Sequence, residues 1–329
     1  MKKSLIALAI LGSVAGVAQA QSSVTLYGLA DVWVGRQKID FPGVGSTSVT
    51  GVNSGGLATS RFGLQGTEDL GGGLKAIFKL EQGFNADTGT AQVGGTAFER
   101  QSWVGLEGGF GTVQFGNIWS AFDDVYAIGN SVFDSLAFSP SYGTLSVAAY
   151  VDKPRNGMRY TSPSFGGVSF AVSHSLDEVA GVSNDQTDFN VQYAGGPLTV
   201  AFAYQLLNDA VAVGTDAKAM YLTGSYDFGV AVLKGGVGQT RNFFDTKTKD
   251  WQIGADFPLS SALTLSTGYA RSKDEPTDFK RTAFSVGALY TLSKRTATYA
   301  GFKRQKGEDA AGTTTARVTT FGVGLQHKF

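Results

Sequence analysis

Nine charged side chains are set where they could act together. Arg61, Lys75, Lys79, Arg100, Arg155 and Arg159 lie in or beside stretches of alternating polarity, and Asp123, Asp124 and Asp134 share one long connection. Fixed charges of opposite sign across a narrow aqueous passage make a transverse field, which orders water and biases the ions that cross. Each also has a plainer reading, as a solvated charge or as an arginine that anchors a loop by hydrogen bonds. Covalent chemistry has much less to work with. The chain has two histidines, His174 and His327. His174 lies between Ser173 and Ser175, but neighbours on a strand face opposite sides, so adjacency makes no nucleophile–base dyad. With no G-x-S-x-G, no P-loop and no His/Cys cluster at ligand spacing, no catalysis, no metal and no cofactor are expected.

The elements that must carry these charges show themselves by parity. From Leu74 to Phe84, residues Leu74, Ala76, Phe78, Leu80 and Phe84 fall on one face of a strand, and Lys75, Lys79 and Glu81 on the other, with Ile77 the exception. The final nine residues repeat the pattern: Phe321, Val323, Leu325 and Phe329 oppose Gly322, Gly324, Gln326 and Lys328, with His327 the one polar entry on the apolar side. Such a two-faced strand suits a wall between lipid and water. A charge facing lipid at mid-depth costs about 2–4 kcal/mol, so the charged parity is expected to face inward. By that rule Asp31, Arg61, Arg155 and Arg159 point to a lumen. Arg100 stays open, because Trp103 and Val104 compete for the lipid face.

Seven tight-turn signals punctuate the chain: 69–73, 108–111, 163–167, 195–197, 227–229, 258–261 and 292–295. They alternate with eight longer, more polar connections, at 37–56, 85–98, 118–154, 177–186, 208–217, 242–248, 273–279 and 306–316. Fifteen connections imply sixteen antiparallel strands with both ends on the tight-turn side. No apolar stretch is long enough for a spanning helix beyond the first residues, and only helices or closed barrels satisfy every backbone group in lipid. An all-β, sixteen-stranded transmembrane barrel follows. Tyr27, Trp33, Phe84, Trp251, Tyr269, Tyr290, Phe321 and Phe329 lie near strand ends and are expected in the aromatic girdles at the two interfaces.

Residues 1–20 read as a cleaved signal peptide: Lys2 and Lys3, an apolar run from Leu5 to Val17, and Ala18-Gln19-Ala20 at the cleavage site. Residues 21–329 then form the barrel. Losing Lys2 and Lys3 leaves 25 basic against 27 acidic residues, a net charge of −2. That balance argues against nucleic acid as a partner, which needs a basic surplus. Cys is absent, so an exported chain has no thiol to mispair and no disulfide framework.

Several blocks carry a family resemblance. Ser23-Val-Thr-Leu-Tyr-Gly-Leu-Ala-Asp31, Ser60-Arg-Phe-Gly-Leu-Gln-Gly-Thr-Glu-Asp-Leu-Gly-Gly-Gly-Leu-Lys-Ala76, Arg100-Gln-Ser-Trp-Val-Gly-Leu106, Tyr160-Thr-Ser-Pro163, Tyr290-Thr-Leu-Ser-Lys-Arg-Thr296 and the terminal Phe329 resemble trimeric Gram-negative general porins, above all their betaproteobacterial branch. The blocks run through the whole of 21–329. The resemblance implies a water-filled homotrimeric channel whose third long loop folds into the lumen, and a terminal aromatic recognised by the barrel-assembly machinery. The family often has an Arg just after the Gly of the fifth strand; here that position is Asn117.

The expected function is passive diffusion of small hydrophilic solutes and ions across the outer membrane, with weak anion selectivity. A substrate-specific sugar or organic-anion channel is the alternative within transport. A surface adhesin or receptor barrel with a plugged lumen is the alternative outside it. Outer-membrane lipid and lipopolysaccharide are the expected surroundings and partners.

Overall fold

Alternating stretches become strands throughout the computed structural model, which describes residues 23–177, 185–208 and 216–329. The expected leader lies outside these residues, as do the centres of the connections after Asp177 and Asn208. In chain order the strands are β1 (Ser23–Phe41), β2 (Gly45–Ser54), β3 (Arg61–Gly71), β4 (Leu74–Asn85), β5 (Thr90–Ala91), β6 (Gln101–Gly108), β7 (Gly111–Asn117), β8 (Gly157–Thr161) and β9 (Val168–Ser175). There follow β10 (Gln186–Gly195), β11 (Leu198–Leu207), β12 (Ala217–Asp227), β13 (Val232–Arg241), β14 (Lys247–Pro258), β15 (Leu263–Asp274), β16 (Lys280–Thr291), β17 (Thr296–Glu308) and β18 (Thr314–Lys328).

These segments build the sixteen-stranded wall. β1 pairs with β3 through Ser23–Leu29 and with β2 from Val32 onward, so β2 and β3 form one wall strand interrupted at 55–60. β5 is a two-residue ladder on the end of β4, outside the wall. Closure comes from β1 against β18, in register from Leu29↔Lys328 to Asp40↔Arg317. Beyond that register the terminal residue exchanges both backbone hydrogen bonds with Gly28, each 2.9 Å. The Phe329 ring then lies where a Cβ on residue 28 would go, so the first strand needs glycine there to seat the last residue.

All seven tight turns fall where the sequence places them. Asp69 and Asp227 each accept the N–H two residues on, at 2.9 and 2.7 Å, the Asx turn that short polar side chains favour. The first long connection differs from expectation. Residues 37–56 are mostly strand, a hairpin in which Val32–Phe41 pairs with Gly45–Ser54. Its Ser, Thr and Val residues are good strand formers; their polarity marks a ladder that continues past the membrane, not a loop.

The lipid face is the exposed apolar one: Val24, Leu26, Val34, Trp251, Ile253, Tyr290, Phe321, Val323, Leu325 and Phe329 are all exposed. Two expected girdle aromatics face the other way. Tyr27 donates its hydroxyl to Glu81 at 2.9 Å, and the Trp33 ring meets Phe138 edge-on at 5.3 Å between centroids. Both sit at odd positions of β1, the inward parity, so nearness to a strand end did not decide their side.

The third connection, residues 118–154, is ordered by helical turns: α1 (Asp123–Tyr126) and 3-10 turns at Ala127–Gly129, Val132–Asp134 and Ser146–Ala149. Phe122, Val125, Tyr126, Leu145 and Val147 bury themselves against Ala201, Ala203, Ala219, Tyr221 and Ala270, inward residues of β11, β12 and β15. A second cluster joins Val132 and Phe138 to Tyr299 of β17 and Trp33 of β1. Close approach is possible because the wall is bare there. A Cβ on Gly268 would collide with Ser131, and one on Gly301 would fall in the Phe138 ring. Those glycines are docking positions for the connection.

Candidate functional site

Two strands of the opposite arc carry charge on the same inward parity. Glu81 of β4, almost fully buried, meets Arg100 Nε at 2.8 Å and Arg61 Nε at 3.4 Å, besides the Tyr27 hydroxyl. The Lys79 ammonium lies 5.1 Å from the centre of the Tyr27 ring. Arg100 turns inward because it precedes β6, where the strand parity does not yet govern it. Inside β6 the contest between Trp103 and Val104 resolves one way. Trp103 faces in, donating to Gln101 at 3.0 Å, and Val104 and Leu106 are exposed on the lipid side.

Asp31 also faces inward, but as an anchor instead of a lumen charge. It is completely buried. Its carboxylate accepts the N–H groups of Gly56, Leu57 and Ala58 at 2.9–3.1 Å, the Tyr299 hydroxyl at 2.5 Å and Gln326 at 2.9 Å. The segment so held receives the third connection: the Ser135 hydroxyl and Ala137 N–H donate to the Gly56 carbonyl at 2.6 and 3.1 Å. A carboxylate with five donors is satisfied and adds little to the field in the lumen. Glu81, shared between two arginines, is likewise spoken for.

On the connection itself the three acids part company. Asp124 pairs with Arg159 and accepts from Asn190 at 2.9 Å. Arg159 further donates to the Trp119 and Ser120 carbonyls at 3.0 and 3.3 Å. That pair ties the start of the connection to β8 and β10. Asp123 instead accepts the Tyr150 hydroxyl at 2.5 Å, and Asp134 accepts Asn130 at 2.6 Å. Burial pushes the Asp123 carboxyl up to about 7, against the pull of the Tyr150 hydrogen bond. Asp134 is pushed up to about 6 by the same cause.

Four of the nine sequence candidates meet around one space. Arg61 and Arg100 on the wall, and Asp123 and Asp134 on the connection, line a cavity of about 440 Å³. Three residues that the sequence reading missed join them: Trp119, Asp152 and Lys153. Lys153 pairs with Asp152 and stands 4.6 Å from the Trp119 ring, which Arg100 approaches at 5.3 Å from another side. The signal was available, since Trp119 stands second in 118–154 and Asp152-Lys153 just before its last residue, but neither fits a parity rule outside a strand.

The other candidates stand elsewhere. Lys79 remains on the wall near Tyr27, away from the lining. Lys75 is one residue from a tight turn and pairs with Glu107 at 3.1 Å, both half-exposed, so inward parity did not bring it to the passage. Arg155 is exposed ahead of β8. Asn117, in place of the family's arginine, donates to the Phe98 and Glu99 carbonyls at 3.3 and 2.9 Å. The two histidines lie apart: His174 bonds Thr187 and His327 bonds Thr296, each at 2.9 Å, while Ser173 turns to Asp188 at 3.1 Å.

Comparison with known proteins places this architecture. A family model described as Gram-negative porin matches residues 7–310. Outer membrane porin protein 32 of Delftia acidovorans is 36% identical over 94% of this chain and 91% of its own length. An outer membrane porin protein of Bordetella pertussis is 30% identical over the whole of both chains. Among solved structures, an anion-selective porin from Comamonas acidovorans superposes with a TM-score of 0.80 at 29% identity, covering 94% of this chain and all of that one. With a continuous barrel, a lipid-facing apolar band and a charged inner passage, the chain belongs to the Gram-negative porin family and forms a diffusion channel in the outer membrane.

Proposed function

We propose that the passage bounded by Arg61, Arg100 and Lys153 against Asp123, Asp134 and Asp152 is the ion-sorting constriction of this channel, and that it prefers anions weakly. The observation that carries this is the meeting of opposite charges from the wall and the connection around one space of about 440 Å³. Glu81 adds a fourth carboxylate against the three cations when all are ionised, and Asp152 is paired with Lys153, so these charges leave a small net field and do not themselves set its sign. The raised carboxyls of Asp123 and Asp134 tilt it toward positive as pH falls. Anion selectivity in the similar Comamonas acidovorans porin supports the sign. Reversal potential of the reconstituted protein in a salt gradient tests it. Weak anion preference that strengthens on dilution is expected, because the Debye length grows from roughly 8 Å at 0.15 M to roughly 30 Å at 0.01 M. Clear cation preference at neutral pH overturns the assignment.

The working unit in this reading is a homotrimer, as family membership supports; a trimer band on unheated gels that collapses to monomer on boiling is expected, and a monomer after mild extraction refutes it. The leader on 1–20 and recognition of Phe329 by the assembly machinery belong to the same reading. Deleting Phe329 removes its paired hydrogen bonds to Gly28 and should leave unfolded precursor in the periplasm. The chain works in this view as a channel and not as an enzyme, and normal conductance after His174→Ala is the outcome that agrees.

A further inference from the structure

A second cavity lies behind the third connection. Residues 142–150 stand off the outer ends of β11–β16 and enclose about 550 Å³ with them. A space of that size suits a small-molecule ligand. Its lining has two characters. Tyr142, Ala148 and Tyr150 of the connection, with Phe243 from 242–248, make an apolar part. Asp274 of β15 and Arg281 of β16, both on the inward parity, make a charged part. That charged part is only half used. Arg281 Nη2 lies 3.2 Å from Asp274 Oδ1 and donates to the Ser272 hydroxyl at 3.1 Å. The Thr248 hydroxyl donates to the same Oδ1 at 2.9 Å. Among the described residues Nη1 of Arg281 and Oδ2 of Asp274 make no hydrogen bond, and Nε of Arg281 is buried without an acceptor. The two side chains remain 36% and 22% exposed, so both open ends can be reached from the cavity.

A donor of positive charge and an acceptor of negative charge thus stand side by side. A plain anion placed there meets the Asp274 carboxylate, and a plain cation meets the Arg281 guanidinium. A ligand with both charges on neighbouring atoms satisfies both, through charge-assisted hydrogen bonds. The other cations of the lining are distant. Lys218 and Arg241 face each other across β12 and β13, three to four strands from Arg281, roughly 14–19 Å at strand spacing. Arg241 is also paired with Asp245 at 2.7 Å. We propose that this cavity binds aromatic α-amino acids as zwitterions, with the carboxylate on Arg281, the ammonium on Asp274 and the ring among Tyr142, Tyr150 and Phe243. Ring contacts of this kind add to the area buried. Tyr142, Ala148 and Tyr150 also line the cavity of about 440 Å³ in front, so a bound ring presses on the partition between the two spaces. The site rests on the outer cavity and not on the ion preference of the constriction, so the two can fail separately.

The test uses the full protein in mild detergent, with L-phenylalanine as probe and binding read by isothermal titration calorimetry. Two analogues each lack one charge: 3-phenylpropanoate has no ammonium, and phenethylamine has no carboxylate. A hydrogen bond to a charged group is worth about tenfold or more, so both should bind at least tenfold more weakly than L-phenylalanine. Arg281→Gln should cost L-phenylalanine about tenfold and leave phenethylamine unaffected. Asp274→Asn should cost it about tenfold and leave 3-phenylpropanoate unaffected. Ala217→Trp, which fills the cavity from β12, should abolish binding of all three, and the folded band on unheated gels shows that each variant is intact. In a planar bilayer, L-phenylalanine added on the outer side should lower single-channel conductance with the same saturation as the calorimetric curve. No saturable binding of L-phenylalanine, equal binding of either analogue, or full binding by Ala217→Trp overturns the proposal. Conductance that stays constant at saturating ligand overturns the coupling to the passage.

Discussion

The inner wall of this barrel has two arcs built on one backbone rule and put to opposite uses. From β11 to β17 the inward residues that meet the third connection are largely Ala and Gly, with Tyr221 and Tyr299, and the connection covers them with Phe122, Val125, Tyr126 and Phe138. Around β3, β4 and the start of β6 the inward residues are Arg61, Lys79, Glu81 and Arg100, and the space in front of them stays open. Alternation puts a residue on the inner face in both arcs. Side-chain size and charge then decide whether that face is dry or wet. Small residues let a loop come close enough to exclude water, and burying apolar area against them returns about 25 cal/mol per Å². Charged residues hold their water and keep the loop at a distance. On the proposed assignment the passage is pressed to one side of the lumen by the bare arc and polarised by the charged one.

If the arcs divide the work in this way, the largest effect should come from the joint between them. Asp31→Ala leaves the backbone N–H donors of Gly56, Leu57 and Ala58 without their acceptor, at about 1–3 kcal/mol for the buried Gly56 donor and less for the two part-buried ones. The temperature at which the folded band is lost on gels should drop sharply, and conductance should become noisy as the Gly56–Ser135 contact loosens. Unchanged heat resistance would show that the connection is held by its apolar side alone. Next comes Gly301→Leu, which drives the Phe138 ring off the bare arc. Overpacking of this kind costs about 1–3 kcal/mol, and mean conductance should rise as the connection shifts into a less seated position.

Substitutions in the charged arc should leave stability largely alone and move selectivity. A unit charge about 7 Å from an ion in water is worth about 0.6 kcal/mol, or roughly threefold in relative permeability. Arg61→Ser should shift the reversal potential toward cations by about that factor, and Asp123→Asn should shift it toward anions. Lys75→Ser and Arg155→Ser, away from the passage, should do little, which separates inward parity from true lining. The smallest effect is with pH. Asp123 and Asp134, with carboxyls raised to about 7 and about 6, lose negative charge as pH falls from 8 to 5. Arg61, Arg100 and Lys153 face the same cavity, and the neighbouring Asp124 and Asp152 are held in ion pairs. Anion preference should therefore increase on acidification, and Asp123→Asn should flatten the curve. A cationic drift on acidification would place the titrating groups elsewhere.

Much of this was legible in the chain because β-structure in a membrane obeys a two-residue period with a steep penalty for error. Strand number, the seven turns, the lipid parity of β18 and the inward side of Asp31, Arg61, Glu81 and Arg159 follow from alternation, turn chemistry and the cost of charge in lipid. The hairpin of β1 and β2 was missed because beyond the membrane that penalty vanishes and a polar strand reads as a loop. Tyr27 and Trp33 were misplaced because nearness to a strand end says nothing of side.

What alternation leaves open is depth and partnership. Lys75 and Arg61 share inward parity, yet one lies beside a tight turn and the other at the passage, because stagger across the barrel sets the height at which each strand presents a residue. Asp31 and Asp123 are both inward carboxylates, yet one is fully bonded and the other faces the open passage; which donors reach them depends on a segment 25 residues away in one case and on Tyr150 in the other. Trp119 and Lys153 meet only because a 37-residue connection returns to its starting point against a wall of Ala and Gly. Local periodicity carries the side of the wall for each residue; only closure of the barrel and docking of the connection determine which of those residues share a space.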